Sequence, residues 1–219
     1  MPPAEILEIA LRSLAVAGGA TLLAALFGVP LGLWLALRGG GGVWGRVLLY
    51  SGLALPSVVV GLVVYLLLSR SGPLGFLGWL FSFKAMVLAQ AVLVLPVVTA
   101  LVRQSIDDAE RLHGEQLQSL GAGTGWRGLI LLWDERYALL TVVIAAFGRA
   151  ISEVGAVMVV GGNIEGFTRV MTTAIALETS KGDLPLALAL GVLLLLVVLL
   201  LNALIALIRH WREGREMQG

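Results

Sequence analysis

The stretch LPLALALGVLLLLVVLLLNALIALI, residues 184–208, holds no charged side chain and little besides Leu, Val, Ala and Ile. At about 1.5 Å per helical residue it is long enough to cross a hydrocarbon core of roughly 30 Å. No folded domain in water could hide so long a run on a single helix face, so lipid is its solvent and α-helix its conformation. The rest of the chain supports that reading. Of 219 residues, 58% are hydrophobic and 13% charged, well to the apolar side of an ordinary soluble domain. With 28 glycines and only 7% aromatic residues, the composition suits closely packed membrane helices better than a barrel with aromatic girdles.

Working back from residue 208, four more spans are expected, at about 14–37, 47–69, 85–102 and 137–162, which makes an all-α integral membrane domain of about five helices covering residues 1–219. The first carries Pro30 between Gly28 and Gly32, the second is interrupted by Pro56, and the third contains Pro96. Membrane helices tolerate such residues as kinks. Arg38, the glycines at 39–42 and Arg46 form a flexible turn, and a loop at 70–84 with Pro73, Phe76, Trp79, Phe81 and Phe83 is expected along the headgroups. Residues 1–12 include Glu5 and Glu8 and lack the basic start of a cleaved signal, so the first span is expected to stay in the mature protein.

Orientation follows from the basic residues of the short loops. Nine arginines, among them Arg38, Arg103, Arg127 and Arg209, fall on one side, against five basic residues, among them Arg12 and Lys181, on the other. Since cytoplasmic loops hold the excess, the N-terminus is placed outside and the C-terminus inside. The net charge of +1 leaves no footprint for nucleic acid. Absence of Cys removes thiolate metal sites, and His113 and His210 are too far apart to suggest one, so neither metal nor cofactor is expected.

One cytoplasmic segment differs from the other loops. Residues 103–136 are polar but helical in period, with Leu112, Leu117 and Leu120 among Glu, Gln and Arg. On composition alone this is a solvated helical hairpin or a surface for a partner. Within it Gly121 can end a helix as a C-cap or let a partner's backbone approach closely, and the two roles are compatible. In the fourth span, Arg149 and Glu153 are charges deep within an apolar stretch, spaced to share one helical face. Ionisable groups there are costly unless paired or facing a polar cavity, so they either pin the span to its neighbours or line a path. Gly161, Gly162 and Asn163 either offer backbone N–H groups to an anion or simply stop the helix. Thr168, Thr172 and Thr173 add hydroxyls in the outer loop.

The segment Glu115-Gln-Leu-Gln-Ser-Leu-Gly121-Ala122 resembles the cytoplasmic loop of binding-protein-dependent ABC importer permeases, whose pattern is E-A-A, three residues, then Gly. Gln116 and Leu117 stand where that family has two alanines, and Trp133-Asp134 where it has Leu-Pro. The run 148–163, GRAISEVGAVMVVGGN, is similar to the membrane subunits of sulfate, molybdate and tungstate importers, and residues 168–183 look most like the tungstate type. The resemblance implies a MetI-like permease fold, a homodimer, two copies of a cytoplasmic ATPase and an extracytoplasmic oxyanion-binding protein. It places Glu115, Leu120, Gly121 and Ala122 at the ATPase, and it puts Arg149, Glu153, Gly161, Gly162, Asn163 and Thr168 on the translocation path or its gate. The transported ion would be a tetrahedral oxyanion: tungstate first, then molybdate or sulfate.

The chain carries no G-x-x-x-x-G-K-[ST], H-E-x-x-H or G-x-S-x-G, so ATP hydrolysis is assigned to another chain. A secondary transporter working without an ATPase would have no use for the polar segment, and no inverted repeat is visible. A membrane enzyme using Glu153 or Asp134 would lack a second carboxylate or a His beside it in the span.

Overall fold

The computed structural model describes residues 3–39 and 42–216. Gly40 and Gly41 of the expected turn, and Met1 and Pro2, lie outside them; so do the side chains from Ile208 onward, including the Arg209 and His210 side chains. Among the described residues the regular elements are helices: α1 (Pro3–Leu37), α2 (Gly42–Leu53), α3 (Ser57–Leu68), α4 (Phe83–Ser119), α5 (Thr124–Asp134), α6 (Arg136–Ile151), α7 (Gly155–Gly161), α8 (Met171–Lys181) and α9 (Leu184–Glu216). A single 3₁₀ turn spans Gly75–Leu77. Three helices, α1, α4 and α9, are each long and apolar enough to cross a membrane, and the bent pairs α2–α3 and α6–α7 bring the number to five if each pair is one span.

Close backbone contact explains the main seam, between α1 and α4. Gly28 and Gly32, one turn apart, lie against Val98, Thr99 and Val102; a Cβ on Gly32 would come within 2.8 Å of the Thr99 carbonyl oxygen. Small residues at this spacing let two membrane helices approach where lipid supplies no hydrophobic drive. Pro30 sits between them inside α1 without ending it. Two apolar cores result: one, including Val98, Val102, Ile106, Leu131 and Ala146, joins α1, α4, α5, α6, α8 and α9. The other, including Val16, Val64, Met86, Val157 and Val160, joins α1, α3, α4 and α7. Outside them Leu22 and Leu26 of α1 and Leu195, Leu199 and Leu200 of α9 are exposed, as side chains solvated by lipid can be.

The helix that carries the third span continues past residue 102: α4 runs on through the polar segment to Ser119, in keeping with that segment's helical period, because a switch from apolar to polar side chains removes no backbone hydrogen bond. One sequence expectation changes. The fourth span is not one helix but two, α6 and α7, bent by 61° between Ile151 and Gly155. The 70–84 segment, expected along the headgroups, also packs inward. Leu74, Leu77, Trp79 and Leu80 pack on the second core, and Phe81 donates its N–H to the Val160 carbonyl at 3.0 Å. The break between α2 and α3 falls where expected, with Pro56 as the residue before α3.

Candidate functional site

The break in the fourth span is built around Glu153. The side chain is buried at 6% exposure, and its carboxylate accepts hydrogen bonds from the Val154 and Gly155 N–H groups at 3.1 and 2.9 Å. These are N–H groups at the start of α7, which a new helix leaves without an intrahelical acceptor. The other carboxylate oxygen accepts from Arg149 at 2.8 Å. Arg149 and Glu153 therefore pair as their spacing suggests, but not along one helical face. The helix ends between them, and the ion pair bridges the break.

Side chains from neighbouring helices reach two carbonyls at this point, where a membrane interior leaves little water to do so. Gln90 of α4 donates to the Ala150 carbonyl at 2.9 Å, and Thr172 of α8 donates to the Glu153 carbonyl at 2.8 Å. The Ser57 hydroxyl, at the start of α3, bonds the Glu153 carboxylate. A Cβ on Gly155 would come within 2.7 Å of Ser57 Oγ, and one on Gly61 within 2.7 Å of the Ala156 Cα. Hence the starts of α3 and α7, both half-helices with positive dipole ends, meet side by side at one buried carboxylate. Arg149 is different: its side chain is 48% exposed, so part of the guanidinium faces away from the protein while its charge is balanced from within.

The loop after α7 closes on itself. Gly162 ends α7 with φ +70° and gives its N–H to the Met158 carbonyl, and Asn163 follows at φ +50°. The glycine pair thus stops the helix, and the Gly162 N–H is already spent. Gly161 is buried where a Cβ would meet Met86 Sδ at 2.7 Å. Thr168 is buried with its hydroxyl donating to the Gly161 carbonyl and accepting from the Ile164 N–H, which staples the loop. Thr172 and Thr173 belong to the buried first turn of α8 rather than to an open loop.

At the other end, Glu115, Leu120 and Gly121 stand at the exposed tip where α4 turns into α5, with Ala122 half-buried behind them. Gly121 has φ +79° and donates to the Gln118 carbonyl, while the Ala122 N–H reaches the Leu117 carbonyl. This paired arrangement terminates a helix and needs a left-handed residue, which is why glycine stands there. The helix-ending role is a fact of the structure. The turn is also bare, since a Cβ on Gly121 would touch nothing within 4 Å.

Some polar residues of the site were not singled out from sequence. Gln90 reads as one polar residue in an apolar span, a signal that membrane burial makes informative. Arg169 is 7% exposed and lies 3.4 Å from Glu165 and 3.8 Å from Glu5, while Arg12 donates to the Gly166 and Arg169 carbonyls. Buried Glu178 pairs with Lys181 at 2.9 Å. These residues lie at helix ends and loops, where sequence offers no sign of depth.

A lipid-solvated bundle with two broken helices meeting at a buried charged node, and a polar helical hairpin projecting from one end, has the build of a membrane transport subunit. No family model matches the chain. Among curated proteins it is 40% identical to a probable anion ABC transporter permease of Haloferax volcanii, over 98% of this chain and 95% of that one. It is 41% identical to the tungstate uptake system permease TupB of Peptoclostridium acidaminophilum, over 92% and 89% of the two chains. It is 32% identical to the molybdenum transport permease ModB of Escherichia coli, over 88% and 92%. The chain belongs to this family of anion ABC transporter permeases. It is a multi-pass subunit of the cytoplasmic membrane and not an enzyme; ATP is hydrolysed by a separate ATPase, and a substrate-binding protein completes the system.

Proposed function

We propose that the chain is a single five-span permease domain, its spans formed by α1, α2–α3, the first part of α4, α6–α7 and α9, which passes a tetrahedral oxyanion inward by alternating access. It works as a homodimer with two ATPase subunits, its N-terminus outside and its C-terminus inside. Tungstate is the favoured ion, ahead of molybdate and sulfate. The match to a tungstate permease at 41% identity, against 32% for a molybdate permease, supports placing tungstate ahead of molybdate.

The observation that carries the mechanism is the half-exposed Arg149 balanced by buried Glu153 at the break of the fourth span. An uncompensated arginine would trap a dianion, whereas one held by a carboxylate can contact it and let it go. Arg149 and Glu153 are assigned to the path, and Gly161, Gly162, Asn163 and Thr168 support the outer gate. Glu115, Leu120, Gly121 and Ala122 form the face toward the ATPase. Reconstitution into vesicles with the ATPase and the binding protein tests the reading. ATP-dependent uptake is expected, strongest for tungstate, together with tungstate-selective binding by the binding protein in calorimetry. Oxyanion uptake by the permease alone, or no oxyanion uptake with the full set, would overturn it.

A further inference from the structure

The tip that carries Gly121 has nothing to rest on. Side chains placed at Gly121, Gly123 or Gly125 would meet no atom within 4 Å, and Leu120 is 76% exposed. Where the tip sits is therefore decided by its two stems, the last turns of α4 and the first of α5. Those stems are joined by an ion pair: Arg127 on α5 lies 3.0 Å from Glu110 on α4, with side chains only 13% and 22% exposed.

Gly114 makes that pair possible. It lies one turn after Glu110 inside α4, where glycine costs roughly 0.5–1 kcal/mol relative to alanine. It is buried, and a Cβ there would come within 2.9 Å of both Cδ and Oε1 of Glu110. The Glu110 side chain lies down over Gly114 to reach across to Arg127. Further from the tip, Ser105 donates to Glu135 at 3.1 Å, and Leu131, 1% exposed, fills the seam between. The hairpin is thus pinned at its base and filled in its middle, and the largely buried pair at 110 and 127 is the ion pair nearest the tip among the described residues.

We infer that Glu110 and Arg127, seated on Gly114, are positioning residues for coupling: a clasp that holds the Gly121 turn in one orientation so that motion at the tip reaches α4 rather than being lost in bending of the hairpin. The inference rests on the reading of the tip as the ATPase-facing element. A buried pair suits the task because removing either partner leaves the other charge with poor solvation, so the two stems are held by more than apolar contact, which is not directional.

The test uses the complete importer in vesicles, with ATP hydrolysis and oxyanion uptake measured on the same preparation. Glu110→Gln and Arg127→Gln should each lower the anions imported per ATP hydrolysed by roughly fivefold to tenfold, a size ordinary for one coupled pair. Each variant should still assemble with the ATPase and hydrolyse ATP. The exchange Glu110→Arg with Arg127→Glu should recover at least half of the lost ratio, an outcome that a residue needed only for folding would not produce. A spin label at position 120, in a chain that has no native Cys, should report a broader range of tip positions in the single variants and a narrower one in the exchange. Gly121→Trp serves as the control for the reading beneath. If it leaves the ratio unchanged, the tip is not the ATPase contact. If it uncouples while Glu110→Gln does not, the clasp alone is refuted.

Discussion

The fourth span and the helix α4 face the same bilayer with opposite outcomes. α4 contains a proline at position 96 and still runs unbroken for 37 residues, from Phe83 at the start of the third span into the tip. The fourth span contains no proline, and it breaks by 61°. Proline removes one N–H and crowds the preceding turn, which a membrane helix can absorb when neighbours fill the space. Here Gly52 of α2 supplies that room, since a Cβ on it would come within 2.8 Å of the Pro96 ring. In the fourth span the break is made partly by the span's own Glu153, which takes the next two N–H groups, and partly from outside, where Gln90 donates to the Ala150 carbonyl, Thr172 donates to the Glu153 carbonyl, and Gly155 is pressed against Ser57. The helix proposed to transmit movement is whole, and the helix beside the proposed path is cut where charge and polar groups gather. What distinguishes them is which tertiary partners reach the backbone, not which residue is the worse helix former.

The largest expected effect comes from dissolving the node that makes the break. Glu153→Ala takes the partner from half-exposed Arg149 and leaves two N–H groups without their acceptor, at a cost of about 1–3 kcal/mol for each buried group left unsatisfied. Thermal unfolding of the purified permease in detergent should drop sharply and uptake should vanish; retention of wild-type stability would mean the pair does not hold the break. Next, Gly61→Val forces α3 off α7, because the added carbon would meet the Ala156 Cα at 2.7 Å. Overpacking of this kind costs about 1–3 kcal/mol, and uptake should fall more steeply than expression, as read by transport per mole of inserted protein.

Turning to the unbroken helix, Gly121→Val forces a β-branched residue into a left-handed turn, at a cost of roughly 1–2 kcal/mol. The chain should still insert, ATP hydrolysis should continue, and transport should be uncoupled from it. Undiminished uptake at normal expression would count against the coupling role. The smallest effect is expected from Pro96→Ala, since α4 is already continuous there. Stability should change by less than about 1 kcal/mol and uptake by less than about twofold, the scale of substitutions that leave packing intact. A larger loss of transport without loss of stability would show that Pro96 is a hinge, and the contrast between the two helices would collapse.

Much of the molecule was legible in its sequence because membrane solvation acts residue by residue. The run at 184–208 announces a span wherever it folds, and the abundance of glycine announces closely packed helices, whereas Gly28 and Gly32 read from sequence as part of a kink at Pro30 and only the structure shows the seam they form. Residues 115–122 pointed to the helix-ending turn at Gly121, since a left-handed position after a helix selects glycine locally. The break at 152–154 was not legible: Ser152, Glu153 and Val154 contain no breaker, and the spacing of Arg149 and Glu153 fits an unbroken helix equally well. The helical period of 103–136 was legible, but not that its first part continues the helix of the third span to Ser119 without a break, since period alone does not show where one helix joins the next. Gly114 carried no signal at all, since its use depends on a side chain four residues earlier lying across it.

By itself the sequence determined that this chain is an all-helical membrane protein, where its apolar helices lie, and which family it joins, because hydropathy and motif spacing are local properties that survive without coordinates. Tertiary structure alone decided that the fourth span is cut in two, that Glu153 is buried while Arg149 is half open, and that Glu110 meets Arg127. Those facts depend on which helices touch, and contact between residues far apart in the chain is a property of the packed bundle rather than of any segment.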